Sequence, residues 1–130
     1  MRLWHIDLIP FLPKSQLLAQ KRECDLIWRD YKQGKQTNHI LINYIHNYEI
    51  DYLMIYYCEL AHEFVKRGYK FKDNAPCGEF VLEPSYNEHN DEYLTICYWN
   101  LREKYLRGQK DFSAETWGKI EKFYKERMEK

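Results

Sequence analysis

Apolar residues recur at helical spacing through most of the chain, and the polar and turn-forming residues between them fall where helices should begin and end. Leu17, Cys24, Trp28 and Tyr31 follow one another at steps of seven, four and three. That is one stripe of a helix expected over residues 13–32, with Pro13 at its first position and Gly34 just past its end. The stretch NHILINYIHNYEI predicts a short helix and a turn, with Asn38 as its cap. In DYLMIYYCELAHEFVKRGYKF, Leu53, Tyr56 or Tyr57, Leu60 and Phe64 share a register, Asp51 is the expected N-cap and Gly68 the terminator. NDEYLTICYWNLREKYLRG opens on Asn90, Asp91 and Glu92, carries Leu94, Cys97, Tyr98, Leu101 and Tyr105 on one face, and stops at Gly108. Ser113 is placed to cap a last helix whose buried side is Trp117, Ile120, Tyr124 and Met128.

Two segments lack a helical period. The chain up to Pro10 and Pro13 reads as extended. Residues 70–90, with Pro76, Gly78 and Pro84, read as a long loop holding a short extended piece at EFVLE. The expected fold is therefore all-α: a single compact helical domain over residues 1–130, with about four to five helices and a long loop near 70–90.

Composition narrows the class of protein. Hydrophobic residues make up 45% and aromatics 17%, enough apolar surface to exclude a disordered chain. No apolar run of about eighteen residues and no signal-peptide pattern is present, so the expectation is a soluble, cytoplasmic protein without membrane association; a monomer is expected as well. Cys24, Cys58, Cys77 and Cys97 have no close pairing and read as free thiols in a reducing compartment. Net charge is +0, which argues against binding nucleic acid by bulk charge. The charges are nevertheless segregated: residues 36–65 carry no lysine or arginine, whereas 66–72 carry Lys66, Arg67, Lys70 and Lys72 without an acid. A basic face can thus exist on a neutral protein.

The usual chemical motifs are missing. His5, His39, His46, His62 and His89 read as structural side chains. Cys58 and His62, spaced i,i+4, offer one edge of a metal site with no second pair, so no metal is expected. There is no phosphate loop, nucleophile elbow or dinucleotide fingerprint. What remains is the chain terminus. An α-amine has a pKa near 7.7–8.0, so part of it is unprotonated at neutral pH and able to attack a sugar C1′. Arg2 beside it and Arg22 across a groove would lower that pKa and hold phosphates. Glu23, at the margin of the first helix's apolar stripe, could move protons at the sugar. By itself this constellation is weak, because arginine–glutamate neighbours on helices are usually solvated surface pairs.

Further residues carry a family resemblance. Met1-Arg2, LLAQKRE at 17–23, QGK at 33–35, CELAHEFVKRGYKFKD at 58–73 and His89 ahead of NDEYLTICYWNLREKY occur in an order and spacing that resemble the pyrimidine-dimer DNA glycosylases, the phage endonuclease V type and its bacterial relatives. The likeness runs from residue 1 to about 107, and the C-terminal helix matches loosely through Trp117. It implies a helical enzyme that works on duplex DNA without a metal or organic cofactor, as a glycosylase with AP lyase activity. Carried over by position, the nucleophilic amine is that of Met1, the catalytic carboxylate is Glu23, and Arg2 and Arg22 grip DNA around a damaged base. Two departures stand out. Arg2 is too bulky for ordinary removal of the initiator methionine, so Met1 itself should supply the amine where the family's best-known nucleophile is a threonine. Leu26 stands where the family pattern has an arginine, and Arg29, seven residues after Arg22 on the same helical face, is the candidate replacement. The alternative from another class is a helical DNA- or protein-binding module that keeps the fold without the amine chemistry.

Overall fold

The apolar stripes close into helices as their spacing requires. In a computed structural model, which describes residues 2–35, 39–72 and 85–129, α1 spans Lys14–Lys32, α2 Ile50–Lys66, α3 Asp91–Leu106 and α4 Ala114–Met128. Two short 3-10 helices, Ile6–Phe11 and Asn43–Asn47, complete the regular structure, and no strand occurs among the described residues. The protein is all-α. The cap expected at Asn38, the extended piece expected at EFVLE and most of the loop expected near 70–90 lie outside the described residues.

Helix ends follow the local chemistry closely. The Asn90 side chain accepts from the Tyr93 N–H and Ser113 from the Thr116 N–H, so both expected caps are made. Gly34 and Gly68 sit at φ +71° and +78° just past α1 and α2, a left-handed turn that a side chain at either position would strain. Elsewhere the sequence misled. Asp51 lies in the first turn of α2, whose N-cap is Glu49 without a side-chain bond. Pro13 is the N-cap of α1, with Lys14 its first residue. The expected extended opening is partly the 3-10 helix Ile6–Phe11, capped by the His5 ring accepting from Asp7 N–H; so short a turn leaves no periodic trace.

Packing proceeds in pairs. α1 lies on α2 and α3 on α4, while the 3-10 helix Ile6–Phe11 touches both α2 and α4 and so bridges the two pairs. One hydrophobic cluster runs through all of them, including Leu17 and Ile27 of α1, Leu53 and Leu60 of α2, Leu94 and Leu101 of α3, and Trp117 and Ile120 of α4. Tyr98 stacks on Tyr124 with ring centroids 3.9 Å apart, which seats α4 on α3. Met128, expected on the buried side, is exposed because Arg127 beside it turns inward to Asp7 at 2.7 Å and Asp91 at 3.1 Å. Cys24 and Cys97 are buried free thiols, but Cys58 is disulfide-bonded, against the expectation of a free thiol. Sequence spacing does not reveal which cysteines the packing brings within bonding reach, and an oxidised Cys58 has no thiolate to offer a metal with His62.

A buried histidine makes the fold acid-sensitive. His89 accepts from the Ile6 N–H through Nδ1 and meets the Tyr44 hydroxyl at 2.7 Å through Nε2. It stacks near His5, itself almost fully buried. Burial first, and then the neighbouring His5, push the His89 pKa down to about 3 from 6.5. The unfolded chain therefore takes up a proton that the native state refuses, so stability is full above pH 6.5 and falls as the pH drops from 6.5 toward 3. His89 alone should cost about 2 kcal/mol at pH 5. Urea unfolding at pH 7 and pH 5 reads this directly: His89→Asn, which keeps an acceptor for Ile6 N–H but does not titrate, should lose much less stability between the two than the parent does.

Candidate active site

The start of the chain is laid across α1 and held there by backbone hydrogen bonds. Gln20, only 1% exposed, accepts the Trp4 N–H through Oε1 at 2.7 Å and donates from Nε2 to the Arg2 carbonyl at 3.0 Å. The single hydroxyl proton of Tyr56, on α2, is shared between the Trp4 carbonyl at 2.7 Å and the Gln20 Oε1 at 3.0 Å. From α3, the Tyr93 hydroxyl donates to the Leu3 carbonyl, and the Arg2 guanidinium lies 5.7 Å from the centre of the Tyr93 ring. Leu3 itself is fully buried. The first residues therefore cannot swing freely from α1.

Glu23 lies one turn beyond Gln20 and is half-buried on the same side of α1. Its Oε2 accepts from Gln20 Nε2 at 2.9 Å. Burial pushes its carboxyl above the ordinary range, against the pull of the positive chain terminus, the Arg2 backbone N–H and the Gln20 amide, each of which favours the charged form. A carboxyl raised in this way is better suited to give a proton as well as accept one than an exposed glutamate is.

These groups open onto a cavity of about 250 Å³. Arg2 and Trp4 from the chain start, Gln20 and Glu23 from α1, and Asn100 and Lys104 from α3 line it. Cationic side chains thus flank one acid in a space large enough for a sugar and part of a base. A second groove, lined by Ile6, Asp7, Ile55, Glu59 and Phe123, has two acids but no lysine or arginine among its described lining residues.

The four described candidate residues do not all converge. Arg2 and Glu23 share the cavity wall. Arg22 and Arg29 are exposed and are not among its lining residues, with Arg29 3.8 Å from Asp30. Leu26, 41% exposed, stands between them on the same outer face, so the face is a short apolar step flanked by two cations. Met1 lies outside the described residues. Sequence reasoning passed over Gln20, Trp4, Asn100 and Lys104. A signal for Gln20 existed, because it occupies the stripe position between Leu17 and Cys24, where a polar residue must find buried partners. Asn100 and Lys104 gave none, since only the packing of α3 beside the chain start makes them neighbours of Glu23.

A family model described as pyrimidine dimer DNA glycosylase matches residues 1–76. The chain belongs to that family. As a member of the pyrimidine dimer DNA glycosylase family it is a DNA repair glycosylase in type, and DNA is the substrate. The matched stretch contains Arg2, Gln20, Glu23 and the Arg22–Arg29 face; α3, which adds Asn100 and Lys104, lies beyond it. No curated protein and no solved structure matches the chain. Among the described residues no helix is long and apolar enough to cross a membrane.

Proposed function

We propose that this glycosylase excises a damaged base, a pyrimidine dimer by family, with its own terminal α-amine and then cleaves the strand as an AP lyase. The observation that carries the reading is the half-buried Glu23 carboxyl, in contact with the backbone of residue 2 at the wall of a sugar-sized cavity. The nucleophile belongs to the adjoining residue, one peptide bond away from that contact. The amine lone pair attacks C1′, the C1′–N bond breaks, and the base leaves with the electron pair and a proton. Loss of the amine proton and opening of the sugar ring give a C1′=N imine. Glu23, as carboxylate, then takes a proton from C2′, and the electrons move through the new C1′–C2′ enamine to expel the 3′ phosphate. Arg2 and Lys104 hold phosphate near the cavity, and Arg22 and Arg29 extend the contact along the duplex.

The experiment uses tag-free protein, an abasic-site duplex and borohydride, which reduces the imine to a stable amine. A covalent protein–DNA adduct of one-to-one mass is expected, mapped to the N-terminal peptide, and a chain extended by a few residues before Met1 should form none. Absence of an adduct with the unextended protein would leave a DNA-binding module and end the lyase reading.

A further inference from the structure

Gln20 is bonded at both ends of its amide: Oε1 accepts the Trp4 N–H and shares the single Tyr56 hydroxyl proton with the Trp4 carbonyl, while Nε2 donates to the Arg2 carbonyl and the Glu23 carboxylate. Only one orientation of the amide satisfies this set. Turned over, its NH₂ would face the Trp4 N–H, and its oxygen would face a carbonyl and a carboxylate. The side chain is buried, and none of its bonds can be replaced by water without opening the packing between the chain start and α1. It therefore ties three things into one rigid unit: the backbone on both sides of Leu3, the α2 helix through Tyr56, and the acid of the site.

We infer that Gln20 is the positioning residue of this active site, fixing the distance and angle between the chain start and the Glu23 carboxylate. It acts through those groups and does no chemistry of its own. The inference rests on the amine-based reading above and adds to it the group that makes the geometry exact enough to work. Amine and carboxylate must address neighbouring carbons of one sugar, and a misplacement of about 1 Å in such an arrangement costs on the order of 10²-fold in rate. Gln20 also explains why an amide and not an acid suits this position. A carboxylate there would lie within hydrogen-bond distance of Glu23, and two like charges so close cannot both ionise.

Gln20→Met keeps the volume and removes the amide's hydrogen bonds, whereas Gln20→Glu keeps the shape and adds the competing charge. Single-turnover excision on a lesion duplex should fall on the order of 10²-fold in Gln20→Met, with duplex affinity within a few-fold of the parent. In Gln20→Glu the acid limb of the excision pH profile should move up, because the new carboxylate stands beside Glu23, whereas the loss of rate at retained affinity in Gln20→Met is the result that a purely structural role would not produce. A folded variant with the parent's rate and profile overturns the proposal. Should both variants unfold, the parent protein still decides. Its Gln20 side-chain amide resonances should shift with pH along the titration of the ¹³C-labelled Glu23 carboxyl, and an amide indifferent to that titration overturns the proposal equally. Because this titration is read without any DNA, a failure of the clamp is distinguishable from a failure of the amine chemistry, which would show as a parent protein that forms no adduct.

Discussion

Glu23→Gln is expected to slow base excision by about 10²–10⁴-fold while leaving borohydride trapping on a pre-formed abasic site intact. The substitution is close to isosteric. An amide oxygen at position 23 still accepts from Gln20 Nε2 and from the Arg2 backbone N–H, so the chain start should stay where it is. What disappears is the exchangeable proton. Imine formation on an abasic site needs only a free amine and an aldehyde, and it survives. Displacing an intact base and eliminating the 3′ phosphate both need a group that charges and discharges beside the sugar. Burial raises the Glu23 carboxyl above the usual glutamate range, so the acid limb of the parent's pH–rate profile should lie above an ordinary glutamate titration, and the variant should lack that limb. Excision at the parent's rate in Glu23→Gln would remove Glu23 from the mechanism.

Leu60→Ala should destabilise the fold by about 2–5 kcal/mol, measured by urea or thermal unfolding. Leu60 is fully buried on α2, in the cluster that also takes in Leu17 and Cys24 of α1 and Leu94 and Leu101 of α3. Truncation removes three carbons from a site walled by several helices, and those walls cannot all collapse into the gap. A domain of this size has only about 5–15 kcal/mol in total, so the loss is a large share of it. The same truncation at Val65, 70% exposed on the outer side of α2, should change stability by less than about 0.5 kcal/mol. Equal losses at the two positions would show that the described packing of α2 is wrong.

How legible the protein was in its sequence differs from element to element. Asn90 and Ser113 were readable as caps because their bonds go to N–H groups three residues on, and such bonds need nothing from the rest of the chain. Glu23 was readable at the edge of a stripe by counting helical steps from Leu17 and Cys24. The 3-10 helix at Ile6–Phe11 was not, because its support comes from α2 and α4, far along the chain. Met128 is exposed against its apolar spacing, and the neighbouring Arg127 instead makes contacts with Asp7 and Asp91 that local periodicity does not reveal. Lys21 runs against its residue type: it is buried beside the Phe71 ring, held by Asp25 at 2.6 Å and the Lys72 carbonyl at 2.7 Å.

Local order of residues determined where helices lie and which face of each is apolar, since both depend on neighbours within a turn or two. It also determined that an acid would stand beside the apolar face of α1. Only the tertiary structure decided what that acid meets. Arg2, Gln20 and Lys104 come from three parts of the chain and meet around Glu23, while Tyr56 and Tyr93 hold the backbone of Trp4 and Leu3 beside it, all through the packing of α1, α2 and α3 around the first residues. Contacts of that separation leave no periodic trace, because each is set by the closure of the whole core and not by the residues beside it.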